Sequence, residues 1–298
     1  MNLLHVLLKL AAIPALLWFA QQTTAAQGEQ AIATVTVSDN IYMLTGDGGN
    51  IGILLGSDGT FMIDDKYAPL SKEINSAIKK LGGAVPKFLV NTHFHADHTG
   101  GNENFGKAGS TIVAHHNVRA RMSTQTEIEA FGMVTPPQPP AALPVITFTH
   151  DMRLHLNEQT LNVTHLPGAH TDGDAIVHFV EANVIHAGDI FFNGLYPFID
   201  VQHGGSLQGM IAAVDKILAL CNAETKIMPG HGPLASRSDL QGYRNMLAAA
   251  EKRLGALKKR GMKAKDIIEN KPLQDFEEKW GNGMFTSDRW IEVIYDGI

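Results

Sequence analysis

The stretch Thr92-His93-Phe94-His95-Ala96-Asp97-His98-Thr99 decides how this chain is read. It places three imidazoles and one carboxylate within six residues. Histidine is the commonest protein metal ligand, and a carboxylate beside it suits a divalent ion. The apolar run Phe88-Leu89-Val90 precedes the cluster, so residues 87–91 read as a short buried strand that ends in it. Sheets of α/β proteins keep their chemistry in the loops at strand ends. His93 and His95 are two apart, and extended backbone points them the same way. Asp97 and His98 can then turn toward a second point nearby, which is a geometry for two adjacent metal ions.

A dinuclear site needs further donors, and three stand at the ends of apolar runs. His170 lies in Leu166-Pro-Gly-Ala-His170-Thr-Asp-Gly-Asp174, Asp189 in His186-Ala-Gly-Asp189-Ile-Phe-Phe192, and His231 in Ile227-Met-Pro-Gly-His231-Gly-Pro233. Their glycine and proline flanks allow the sharp turns that would aim each side chain at a shared point. In order, His-x-His-x-Asp-His, Gly-x-His-Thr, Gly-Asp and Pro-Gly-His-Gly, across about residues 40 to 235, this chain resembles the metallo-β-lactamase superfamily. The resemblance implies an α/β fold, an αββα sandwich of two strand-helix halves with a dinuclear metal site at the sheet edges. It implies His93, His95 and His170 as ligands of the first metal, and Asp97, His98 and His231 as ligands of the second. Asp189 would touch the second metal and, in many members, bridge both. The specialised β-lactamases of that superfamily place cysteine or serine where this chain has Asp189. Aspartate there is the pattern of its thioesterases, lactonases, nucleases and other general hydrolases. Cys221, the only cysteine, lies at the end of a helical pattern and reads as a small buried apolar residue.

Nitrogen and oxygen donors without thiolate suit Zn²⁺, and also Fe or Mn; zinc is the ion the resemblance favours. Two such ions roughly 3.5–4 Å apart can share a water, lower its pKa to near 7 and polarise a carbonyl. The hydroxide so formed is the expected nucleophile, and the chain has no Gly-x-Ser-x-Gly elbow that would supply another. Asp97 is the expected catalytic carboxylate, orienting the water and moving its proton. Asp64, after Thr60-Phe-Met-Ile63, reads either as a partner for a ligating imidazole or as a surface turn, and Asp174 could act similarly. His115, His116, His150, His155, His165, His178 and His186 read as strand or loop histidines, whereas His203 sits in an expected active-site loop.

The chain has 298 residues, 44% hydrophobic and 18% charged, which suits one large globular domain over residues 27–298. Residues 1–26 hold one lysine, Lys9, no acid, and an apolar run from Leu10 to Ala20. They read as a secretory signal peptide cleaved after Ala26, with an uncleaved anchor as the alternative. The expected location is therefore periplasmic or secreted, with no stable membrane contact after cleavage. Removing Lys9 takes the net charge from −6 to −7, which argues against a nucleic-acid partner and for a small-molecule substrate.

Short strands alternate through residues 31–65, with glycine-rich 46–50 as a hairpin tip flanking the site. A helix is expected over 69–81, a proline-rich irregular connector over 132–144, and mostly helix from about 238, opened by Ser238 as N-cap. Trp280, Phe285 and Trp290 are expected to pack on the sandwich. The loop Ile190-Phe-Phe-Asn193-Gly-Leu-Tyr-Pro-Phe-Ile199 follows Asp189 with four aromatics, either gripping a substrate or packing inward. Asn193 is the expected amide that orients a substrate carbonyl. No lysine follows Asp189 until Lys216, so a substrate carboxylate lacks the grip β-lactamases of this kind often give it. The expected export and the Phe-Phe-Asn-Gly loop lead to hydrolysis of a β-lactam amide. Lactone or thioester hydrolysis, like that of hydroxyacylglutathione hydrolases, is the alternative, and a non-catalytic metal-binding accessory protein the third reading.

Overall fold

Alternation of apolar residues at period two is what builds the centre of this molecule. In the computed structural model, which describes residues 32–298, strand β4 (Phe61–Ile63) sends Phe61 and Ile63 to one core and Met62 to another. Strands β5 (Phe88–Asn91) and β6 (Thr111–His115) repeat the split, with Val90 and Val113 on one face and Leu89 and Ile112 on the other. These three strands run parallel. With β1 (Ala33–Thr36), β2 (Ile41–Thr45) and β3 (Ile51–Leu54) on one side and a later strand on the other, they form a seven-stranded sheet.

The strands that follow are β7 (Thr126–Ile128), β8 (Met133–Thr135), β9 (Ile146–Phe148), β10 (Asp151–Leu156), β11 (Gln159–His165), β12 (Ala175–Phe179), β13 (Val184–Phe192), β14 (Lys226–His231) and β15 (Ala235–Ser236). β9 completes the first sheet beside β6, and β10 to β15 form a six-stranded second sheet in chain order. The sheets face one another across Val90, Val113, Val163, Val177 and Phe179. Helices α1 (Ser71–Lys80), α2 (Ala96–Thr99), α3 (Asn102–Lys107) and α4 (His116–Met122) belong to the first half. α1 and α3 cover its sheet through Ile74, Ile78 and Phe105. Helices α5 (Leu207–Leu220), α6 (Arg237–Lys259), α7 (Ala264–Glu269), α8 (Glu277–Trp280) and α9 (Ser287–Ile294) cover the second sheet, with Trp280, Phe285 and Trp290 in that core as expected. The expected αββα sandwich is the fold of the molecule. The signal-peptide reading of residues 1–26 lies outside the described residues.

Two sequence expectations need correction. The stretch 132–144 is not wholly irregular: β8 pairs antiparallel with β7 as a separate two-stranded hairpin, joined to neither large sheet. The cap of α6 is Ser236, not Ser238, and it forms a capping box with Asp239.

Candidate metal centre and active site

Every motif singled out in the sequence arrives at one edge of the sandwich. β5 ends at Asn91 and delivers His93, His95 and, through the short helix α2, Asp97 and His98. His170 comes from the loop between β11 and β12, and His231 ends β14. Asp189 lies within β13, beside irregularities in its pairing with β14 around Gly188. Three overlapping donor sets result: His93, His95 and His170; His93, His98 and Asp189; and Asp97, His98 and His231. The seven residues expected as ligands are thus brought together. Asp189 lies between the groups, with Oδ1 3.0 Å from His98 Nε2 and Oδ2 3.5 Å from His170 Nε2 and 3.4 Å from His231 Nε2.

The hydrogen bonds around the cluster fix which nitrogen each imidazole turns inward. His98 Nδ1 donates to Asp64 Oδ2 at 2.7 Å, and His170 Nδ1 to the Phe198 carbonyl at 2.7 Å. His95 Nε2 donates to Asp200 Oδ2 at 2.9 Å, and His93 Nδ1 to the Thr92 hydroxyl at 3.0 Å. The outer nitrogens of these four rings are tied back, so the opposite nitrogen of each faces the centre, the arrangement that orients histidine for a metal. His170 Nε2 and His95 Nδ1 face each other at 2.8 Å. His93 Nε2 and Asp189 Oδ1 are buried with no hydrogen-bond partner. Orphaned donors of this kind, converging from four directions, fit a metal cation and little else.

The electrostatics agree. Burial pulls His170 down to about 4, with Asp189 pulling the other way, and burial with neighbouring His98 holds His93 well below its usual range. Burial opposes charge on Asp97 and Asp189, yet His98 and His231 hold Asp97 at about 2 and Asp189 well below the usual carboxylate range. Burial likewise opposes charge on His231, but Asp189 and Asp97 outweigh it and raise it to about 9. Against the pull of burial, Asp189, Asp97 and Asp64 also raise His98 well above its usual range, so the two carboxylates are offset by His98 and His231, and a bound cation would take over the charge of those two imidazoles.

Asp64 is a buried partner of a ligating histidine and not a surface turn, because Thr92 and His98 both bond to it. Asp174 acts on the backbone instead. It accepts the N–H groups of His170 and Thr171, and burial raises it to about 8 despite those bonds. His203 Nδ1 donates to Asp200, the carboxylate that also holds His95. Asn193 does not join the centre, since its side-chain amide donates to the Pro233 carbonyl at 3.0 Å. The aromatic stretch divides: Phe192 and Phe198 face the cavity over the ligands, whereas Phe191 and Tyr196 are fully buried.

Residues without a sequence signal also shape the site. Lys66 is fully buried and donates to the carbonyls of Gly46, Gly48 and Gly49, the last at 2.6 Å. That loop packs so closely on the centre that a Cβ at Gly49 would collide with the His98 ring. Asn50 straps the same loop to the Pro229 and Gly232 carbonyls flanking His231.

The fold and the donor set define a metal-dependent hydrolase class. The family model of the metallo-beta-lactamase superfamily matches residues 44–231, and the chain belongs to that superfamily. Among curated proteins it is 25% identical over 216 residues to the acyl-coenzyme A thioesterase MBLAC2 of Homo sapiens, covering 63% of this chain and 74% of the relative. It is 24% identical over 161 residues to the probable metallo-hydrolase YqgX of Bacillus subtilis (strain 168), covering 54% of this chain and 75% of that one. Among solved structures, a metallo-beta-lactamase from Pontibacter korlensis superposes with a TM-score of 0.60 at 19% identity, covering 73% of this chain and 99% of that chain. The inverting sec-alkylsulfatase Pisa1 from Pseudomonas sp. superposes with a TM-score of 0.65 at 17% identity, covering 89% of this chain and 50% of that one. The protein is accordingly a metal-dependent hydrolase of this superfamily.

Proposed function

We propose that the protein hydrolyses a thioester or ester whose acyl group is apolar, with two divalent ions, zinc foremost, held by His93, His95, Asp97, His98, His170, Asp189 and His231. One observation carries this reading: among the described residues, the lining of the cavity over the ligands is mostly apolar and includes no lysine or arginine. Its walls are Ile128, Phe131, Met133, Phe192, Phe198 and Met284, and its floor includes Asp97, Asp189 and His231. A β-lactam brings a carboxylate, for which the described lining supplies no lysine or arginine partner beside the metal ligands. The curated thioesterase relatives and the aspartate at position 189 support the same choice.

When bound, the ions would supply Lewis acidity, activating water and polarising the substrate carbonyl. The chain's own part follows from its geometry. Asp97 opens on the cavity with Oδ2 3.3 Å from His231 Nε2. Held at about 2, its carboxylate is ionised at neutral pH and takes the proton of the attacking water, later passing it to the departing thiolate or alkoxide. Phe192, stacked on His231 with ring centroids 4.9 Å apart, excludes water on that side. Asn193, bonded to Pro233, takes no part. Export of the mature chain, read from residues 1–26, belongs to this proposal and makes the substrate one met outside the cytoplasm.

The test is an assay of the mature zinc-loaded chain on a thioester, a lactone and a chromogenic cephalosporin. Thioester or ester turnover, abolished by chelator and restored by zinc, is expected. Cephalosporin turnover without it would sink the proposal in favour of the β-lactam reading. No turnover of any of the three, with metal bound, would overturn the thioester and ester assignment.

A further inference from the structure

A second cavity, of about 50 Å³, lies behind the β7–β8 hairpin, and it meets the first cavity, of about 160 Å³. His95, Ala96, Ile128 and Met133 line both. Ile128 and Met133 are cross-strand partners at the turn end of the hairpin, so this one pair is the partition. The hairpin is hydrogen-bonded to neither large sheet and is anchored by Ile128, which packs into the core of the second half. Met133 is 43% exposed, and its unbranched side chain can swing aside.

The polar groups of the rear cavity are already engaged. Thr99 donates to the carbonyls of Phe94 and His95, Thr124 to Ala120 and Arg121, Thr126 to Arg121, and Gln138 to Pro136. The one charged side chain lining it, Arg121, is paired with Asp172 at 2.7 Å. Phe94, Met122, Ile128 and Pro136 supply carbon. A lining with the hydroxyls of Thr99, Thr124 and Thr126 and its guanidinium turned to protein partners offers a ligand mainly dispersion and burial.

We infer that this rear cavity is an acyl-chain subsite: the carbonyl sits over the metal ligands and an unbranched aliphatic tail passes between Ile128 and Met133. The inference rests on the thioester or ester reading above and names the substrate class, a thioester or ester of a short-chain fatty acid whose last carbons fill the rear cavity. The tail gains affinity by leaving water, each buried methylene adding to it.

The experiment uses the zinc-loaded protein with acetyl, hexanoyl and decanoyl thioesters of N-acetylcysteamine, and follows thiol release. The expected kcat/KM for hexanoyl exceeds that for acetyl by about tenfold or more, with no further gain for decanoyl. Thr135→Trp and Gln138→Trp each place an indole in the rear cavity and should collapse that ratio several-fold. Metal content and melting temperature show which variant is folded, and either suffices. A flat length profile in the unmodified protein, or a ratio unchanged in a folded variant, overturns the subsite. If no thioester is hydrolysed, the thioester reading fails by itself, and calorimetric binding of hexanoate against acetate decides the subsite. Tighter binding of hexanoate, lost in Thr135→Trp, sustains it; equal binding overturns it.

Discussion

Both oxygens of the Asp64 carboxylate are occupied, Oδ1 by the Thr92 backbone N–H and Oδ2 by the Thr92 hydroxyl and His98 Nδ1. The backbone accepts a left-handed φ of 59° at Asp64, and again at Lys66, to aim these side chains inward. Such conformations cost on the order of 1 kcal/mol each and persist where surrounding contacts enforce them. Asp64→Ala should free His98 to rotate and weaken metal binding by about 10–100-fold; unchanged metal content by elemental analysis would refute that role. Lys66→Met should leave three loop carbonyls unpaired and loosen the Gly46–Asn50 loop against His98. The expected result is weaker affinity at the Asp97–His98–His231 set, by about tenfold, with the His93–His95–His170 set retained. Competition with a chromophoric chelator measures the two affinities, and equal loss at both would contradict the assignment. Asp64 was open to sequence reading because it follows a clear strand. Lys66 and Asp200 were not, since Asp200 reaches His95 across 105 positions of chain and Lys66 looks like any surface lysine in a turn.

Elements with one strong periodicity were legible in sequence, and elements defined by competing signals were not. β4, β5 and β6 announce themselves by alternation, and each ligand motif by an apolar run followed by glycine or proline. The β7–β8 hairpin was hidden because the prolines at 136, 137, 139 and 140 dominate its neighbourhood, while each of its strands has only three residues. The start of α6 was misplaced by two residues because Ser236 and Ser238 are both good caps. The choice falls on Ser236, whose side chain accepts from the Asp239 N–H while Asp239 bonds back to the Ser236 backbone. Ser236→Ala should therefore cost about 1 kcal/mol, a fall of roughly 2–4 °C in melting temperature, with turnover unchanged. The same loss from Ser238→Ala, and none from Ser236→Ala, would place the cap where the sequence alone suggested.

The molecule is two sheets brought together, and the metal ligands come from both, so whatever aligns the halves also sets the site. At that seam two histidines read as ordinary strand residues stack on each other: His115, ending β6 of the first sheet, and His165, ending β11 of the second. Their ring centroids are 3.6 Å apart and their planes 13° from parallel. His115 Nε2 donates to the Thr149 carbonyl, and His165 Nε2 to the Asp172 carbonyl. Burial, and for His115 the facing His165, lowers both below the ordinary value of 6.5, with Asp172 pulling the other way and His116, His150 and Lys216 adding to the depression. A histidine with a depressed folded pKa takes up its proton in the unfolded chain first. Stability is therefore full above about pH 6.5 and falls as pH drops from there toward the folded values. His165→Gln keeps a ring-sized polar group without the charge and removes half of this dependence. With zinc held constant, the melting temperature of the unmodified protein should fall more between pH 7.5 and 5.5 than that of the variant. Because metal release adds equally to both curves, only their difference reports the stack. Parallel curves would show that the two halves are held without it.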